Sequence, residues 1–178
     1  MKKATGEAMK AMSPVFFLSV LFLLFNGMSP SVSHATAFES GVDAYHAGDF
    51  QDALRHFKIA AVRGQVRVGA QHNLGVMYDN GVGVPEDDTA AVRWFRLAAE
   101  KGYLKSQSNL GLMVANGEGV PQDDAQAYLW FDVAARRGNQ VAARNRDVLA
   151  KSMTSQQIVA AQSLANKCMQ RRFRKCGK

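Results

Sequence analysis

The sequence predicts an all-α fold, a solenoid of antiparallel helical hairpins with about eight helices in the mature chain, and three observations carry that prediction. Residues 70–103 align with 106–139 without a gap and share 18 of 34 residues, so the chain contains a duplication with a period of 36. Within each copy the apolar positions recur at helical spacing: Ala91, Trp94, Phe95 and Ala98 lie at offsets of 3, 4 and 7, as do Ala127, Trp130, Phe131 and Ala134. Between the two helices of each copy lies a segment rich in glycine and acid, NGVGVPEDD (80–88) or NGEGVPQDD (116–124). A loop that recurs in register with the apolar period reads as the bend of a hairpin.

The first 35 residues stand apart from that pattern. Lys2, Lys3 and Lys10 precede an apolar run from Val15 to Phe25 with Ser19 as its one polar residue, and these 11 residues fall short of the roughly 20 that a helix needs to cross a bilayer. Ser33 and Ala35 place small residues at the two positions a signal peptidase inspects, with Ala35-Thr36-Ala37 as a second candidate. Residues 1–35 therefore read as a secretory signal peptide cleaved near Ala35. No cysteine follows the run, which argues against attachment as a lipoprotein. The mature chain is expected outside the cytoplasm, periplasmic or secreted.

Residues 36–166 are expected to form the solenoid. Its first hairpin, about 37–66, is a divergent copy in which Tyr45, Ala53, Phe57 and Ala60 mark the helix faces and Ala47-Gly48-Asp49-Phe50 gives a tight turn. The second and third, about 67–102 and 103–138, end at Gly102 and Gly138, where glycine accepts the left-handed conformation that stops a helix. A capping pair follows over 139–166, roughly 140–152 and 155–169 by helical pattern, with Thr154 and Gln157 at capping-box spacing. Terminal units of a solenoid depart from the repeat because one of their sides faces water.

The formal net charge of +7 is unevenly placed. Residues 1–35 hold three Lys against one Glu, residues 167–178 hold six basic residues and no acid, and 36–166 hold 13 basic against 14 acidic residues. The folded body is near neutral, which together with export argues against a nucleic-acid partner; the basic tail suits weak contact with an anionic surface. Cys168 and Cys176 lie in that tail, and an oxidising compartment makes them a candidate disulfide. One continuous helix would hold their Cα atoms about 12 Å apart, beyond the roughly 7 Å limit of a bridge. Pairing thus requires the last helix to end between them; two free thiols or an intermolecular link are the alternatives.

Little in the chain spells out catalysis. The glycine loop follows a helix, lacks the Lys-Ser/Thr of a P-loop and carries carboxylates that repel phosphate. Asp79, Glu86, Asp87 and Asp88 do not follow the order of a calcium loop, and acids at a helix start satisfy free N–H groups and face the positive end of the helix dipole. His46, His56 and His72 show no zinc-site spacing, and no serine sits in GxSxG. No metal or cofactor is expected. Trp94, Phe95, Trp130 and Phe131 share one register and read as core.

Ala70, Leu74, Gly75, Met77, Tyr78, Gly81, Gly83, Val84, Asp87, Ala91, Trp94, Ala98, Ala99 and Gly102 together resemble the Sel-one-like repeat, a relative of the tetratricopeptide repeat. The copy from Ser106 departs at Ser106 and Val114, and the first copy is closer to the tetratricopeptide form. The resemblance implies a right-handed solenoid whose first helices line a concave face. The inner positions would be Asp43 and His46; His72, Val76, Asp79 and Asn80; Lys105, Ser108, Leu112 and Asn116; then Arg144. Such a groove suits a protein or peptide partner and a non-enzymatic scaffold role. The rival implied by some cysteine-rich members is an envelope hydrolase, or a binder of peptidoglycan or β-lactam-like ligands. Those members bridge their hairpins with regularly spaced cysteines, and this chain has none before Cys168.

Overall fold

The computed structural model describes residues 34–62 and 67–176, with side chains from Thr36 onward. Residues 1–33, on which most of the signal-peptide reading falls, lie outside the described residues. Among those described there are eight α-helices: α1 (His34–Ala47), α2 (Phe50–Ala60), α3 (Arg67–Asp79), α4 (Asp88–Ala99), α5 (Leu104–Asn116), α6 (Asp124–Ala135), α7 (Gln140–Leu149) and α8 (Ser155–Gln170), with a 3-10 turn at Ala150–Ser152. The pairs α1/α2, α3/α4 and α5/α6 are hairpins, and each stacks on the next through α2 against α3 and α4 against α5. Helices α7 and α8 both pack against α6, so the cap is built onto the last full repeat. No described helix is long and apolar enough to cross a membrane.

Each hairpin closes on the same pairing of glycine with phenylalanine. A side-chain carbon on Gly75 would lie 2.5 Å from the Phe95 ring, and one on Gly111 would lie 2.7 Å from that of Phe131. Gly41 meets Phe57 in the same way, so the divergent first copy keeps the contact although its turn is shorter. The missing side chain lets the first helix lie directly on the ring, and Phe57, Phe95 and Phe131 are all sealed from solvent. Trp130 is fully buried within the cluster that includes α8, whereas its counterpart Trp94 is half-buried at the edge of the N-terminal cluster.

The NGxGVPxDD segments are bends, and they also join neighbouring repeats. Asp87 and Asp123 cap α4 and α6, each accepting a hydrogen bond at 2.9 Å from the backbone N–H three residues on. Asp88 and Asp124 then fill the first turns with negative charge. The second glycine of each bend has left-handed backbone, φ 70° at Gly83 and 65° at Gly119, and lies against the first residue of the preceding repeat's second helix. A side-chain carbon there would lie 2.8 Å from the Phe50 carbonyl oxygen or 2.4 Å from that of Asp88. Gln51 Nε2 donates to the Gly83 carbonyl at 2.7 Å across the same seam.

Two buried glutamines fasten the other edge. Gln71 Nε2 donates to the Ala61 carbonyl at 3.2 Å and Gln107 Nε2 to that of Ala99 at 3.1 Å, each tying a repeat to the end of the one before it. At the C-terminal end the capping box forms as expected, with Gln157 N–H donating to Thr154 Oγ1 at 3.2 Å and the Thr154 N–H donating to Gln157 Oε1 at 2.8 Å. Helix α8 runs to Gln170, one residue past the end expected at about 169, and the chain then folds back. Cys168 and Cys176 form a disulfide with Cα atoms 5.2 Å apart, which requires the helix to end between them. Both cysteines are buried in the C-terminal core cluster.

Candidate binding site between the first two hairpins

Three of the eleven concave-face residues expected from sequence come together in one cleft. Its volume is about 270 Å³, and it is lined by Val42, Tyr45, His46, Phe57, His72, Asn73 and Val76, between α1 and α3 with Phe57 of α2 as a wall. His46, His72 and Val76 belong to the expected set; Val42, Tyr45, Phe57 and Asn73 do not. The cleft arises from local geometry. Val42, Tyr45 and His46 stand at i, i+3 and i+4 on α1, and His72, Asn73 and Val76 occupy one stripe of α3.

The remaining expected positions lie outside the cleft. Asp43 is exposed on α1. Asp79 is half-buried one turn beyond Val76, and burial, helped by the negative charges of Glu118, Asp88 and Glu86, raises its pKa above the usual carboxylate value. Asn80 is exposed and donates from Nδ2 to the Val76 carbonyl at 2.8 Å, while Asn116 donates to Glu118 Oε1 at 3.0 Å, so both amides serve their own helix ends. Ser108 is buried, Lys105 and Arg144 are exposed, and Leu112 leaves 46% of its surface in solvent.

His72 is the most constrained side chain of the cleft. Its ring packs near Phe95 and Tyr103, with centroids 5.7 and 5.0 Å away, and its Nδ1 lies 2.9 Å from Ser106 Oγ. Burial, with a smaller contribution from Lys105, lowers its pKa to about 4, so the imidazole is neutral at ordinary pH. A histidine beside a serine invites a nucleophilic reading. Yet Ser106 is completely buried, so no substrate carbonyl can reach its oxygen. The pair works as a strut between α3 and α5. Among the described residues no group of three His, Cys, Asp or Glu could hold a metal ion.

Sequence reasoning treats Tyr45 and Phe57 as helix-face markers, and the structure also sets both residues in the wall of the cleft. Asn73 recurs as Asn109, and Gln71 as Gln107; identity between the copies is the signal that marks them. Val42 carries no such signal.

The Sel1 repeat family matches residues 68–103 and 104–139. A Sel1 repeat protein from Oxalobacter formigenes is 31% identical, with a TM-score of 0.59 over 72% of this chain and 97% of its own. The protein c5321, a protective antigen present in uropathogenic Escherichia coli strains displaying an SLR fold, is 30% identical, with a TM-score of 0.73 over 78% of this chain. The match spans 30% of the c5321 chain. No curated protein matches this chain. Two tandem repeats, the shared glycine-on-phenylalanine hairpins and a relative covered almost end to end agree: the chain belongs to the Sel1 repeat family.

Proposed function

We propose that this chain is an exported, non-enzymatic scaffold of the bacterial envelope that holds a protein or peptide partner against its concave face. The observation that carries the reading is the cleft between α1 and α3. At about 270 Å³ it falls at or below the small end of typical small-molecule sites, and aromatic and aliphatic side chains make up most of its wall. That size admits one large apolar side chain of a peptide, whose backbone then runs along the stripe from His72 to Asp79. The disulfide supports an oxidising compartment, in line with the N-terminal export pattern. The sealed Ser106 argues against a serine hydrolase at this site.

The test is capture in intact cells. A photocrosslinking residue at His46 should trap a partner, and the same group at the exposed Arg93 should not. The double variant Asp79→Lys/Arg144→Glu should abolish capture with unchanged helix content. If capture survives, the groove assignment is wrong. Turnover of peptidoglycan fragments or a β-lactam, lost in His72→Ala, would overturn the scaffold reading in favour of an envelope hydrolase.

A further inference from the structure

The C-terminal basic segment is a folded part of the domain. Helix α8 ends at Gln170, and residues 171–176 turn back so that Cys176 bonds to Cys168 and both sulfurs are buried. Within this turn Arg172, Phe173 and Lys175 have left-handed backbone, φ 51°, 66° and 54°. Residues with side chains hold that conformation only where their surroundings impose it. The disulfide is one such constraint and Phe173 is the other. Its ring lies against Gly102, where a side-chain carbon would be 3.0 Å away, and the Arg137 guanidinium sits over it at 4.6 Å from the centroid. Arg137 Nη1 also donates to the Gly102 carbonyl at 2.7 Å, which joins the turn, α6 and the end of the second repeat.

With Phe173 and Cys176 pointing inward, the other side chains of the turn are left in solvent. Arg171, Arg172, Arg174 and Lys175 are all exposed, and Lys167 is exposed one turn earlier on α8. Each of these five cations lacks an ion-pair partner among the described residues. Lys101, next to the Gly102 contact, is exposed too, and partial desolvation with the nearby charge of Arg67 holds its pKa below the usual lysine value. Glu100 is the one acid adjoining that contact in sequence. The body of the domain is near neutral, so the positive potential is concentrated at this one end.

From these observations we infer that the disulfide-closed turn is a preformed cationic platform by which the domain sits on an anionic phospholipid bilayer. Guanidinium groups match phosphate oxygens in pairs, and three of the four charges in the turn are arginine. The four cations lie within five consecutive residues that the disulfide folds back, so neighbouring headgroups can meet them together. Leu164 lies one turn before Lys167 on α8, and 41% of its surface is in water, so an aliphatic contact lies beside the charges. Closing the turn lowers the ordering cost of binding, because the charges are already held together.

None of the platform's residues lines the cleft between α1 and α3.

The test is sedimentation of the full chain with vesicles of neutral phosphatidylcholine alone or with 30 mol% phosphatidylglycerol, in about 50 mM and about 300 mM salt, spanning a marked change in screening. Each basic residue near such a surface contributes about fivefold in affinity. Binding to the anionic vesicles should exceed binding to the neutral ones, fall at high salt, and drop at least a hundredfold in R171Q/R172Q/R174Q/K175Q. The N-terminal apolar run is common to both chains, so the difference between them reports the turn. The variant Cys168→Ser/Cys176→Ser keeps every charge and opens the turn; it should lose several-fold in affinity with its helix content intact. Equal binding to both vesicle types, or an unchanged quadruple variant, overturns the proposal. Binding by the opened turn equal to wild type overturns the preformed geometry, and preference for soluble polyphosphate over vesicles overturns the bilayer as partner.

Discussion

The His72 imidazole lies 2.9 Å through its Nδ1 from the Ser106 hydroxyl, a link between α3 and α5 that spans 34 residues of sequence. Because the ring is buried and its pKa is lowered to about 4, protonation competes with folding. Between the unfolded value of 6.5 and about 4 the unfolded chain binds the proton and the native chain does not. The stabilising contribution is thus complete above pH 6.5 and is lost as pH falls toward 4, by at most about 3 kcal/mol. Urea melts of wild type and His72→Asn between pH 7 and 4 should converge as pH falls. Parallel pH profiles would show that the ring is protonated at little cost.

The repeat glycines predict a graded series. Gly75→Ala and Gly111→Ala push a methyl group into the Phe95 and Phe131 rings and should each cost about 1–3 kcal/mol by overpacking. Gly119→Ala should cost more, since it adds left-handed backbone strain to a 2.4 Å approach to the Asp88 carbonyl. Gly138→Ala, also at positive φ but with no atom nearby, should fall lowest, at about 1 kcal/mol. Thermal denaturation of the four variants gives the order directly.

Asp132 is a buried carboxylate that holds the cap. Its Oδ2 lies 2.7 Å from Arg136 Nη2 and its Oδ1 accepts from Arg146 Nη1 at 3.1 Å, joining α6 to α7. Arg146 also bonds Asp147, and these carboxylates hold its pKa above the usual arginine value against a smaller opposing effect of burial. Asp132→Asn keeps the shape and removes the charge, and should destabilise by about 1–3 kcal/mol in urea. Arg146→Met should cost less, because Arg136 still pairs with the carboxylate.

The Cys168–Cys176 bridge closes a short loop, so its removal should cost about 2–3 kcal/mol through the freedom regained by the unfolded chain. Comparing melts of the oxidised chain with those of Cys168→Ser/Cys176→Ser measures the difference. The loss should be confined to the C-terminal end: amide exchange should speed up in α8 and leave α3 and α4 unchanged.

Much of the fold is legible in the sequence because its causes are local. The offsets from Ala91 to Ala98 define a helix face, Asp87 and Asp123 meet N–H groups three residues away, and Thr154 and Gln157 satisfy each other within one turn. The duplication then turns those local features into a stacking rule, since identical hairpins can bury their faces only against one another. Departures between the copies are informative as well. Asp132 stands where the preceding copy has Arg96, and that change marks the repeat against which the cap closes.

The candidate site is less legible because it depends on contacts between hairpins. The family resemblance implies an inner face that holds His72 together with Asp79 and Asn80. It cannot show that Tyr103 and Ser106, a repeat away, draw the ring inward. Val42 and Val76 line the same cleft, yet they lie 34 residues apart and only the stacking angle of the first two hairpins brings them together. The C-terminal turn is a further case. Six basic residues among the last twelve read locally as a solvated tail, and the order of residues 171–176 comes from Phe173 finding Gly102 and from the bond between the two sulfurs. Helices, bends and family thus follow from neighbours within a few residues, where backbone hydrogen bonding and periodic burial set the outcome. The cleft, the Ser106 strut and the cationic platform follow from packing between units, which the order of residues specifies only through the folded whole.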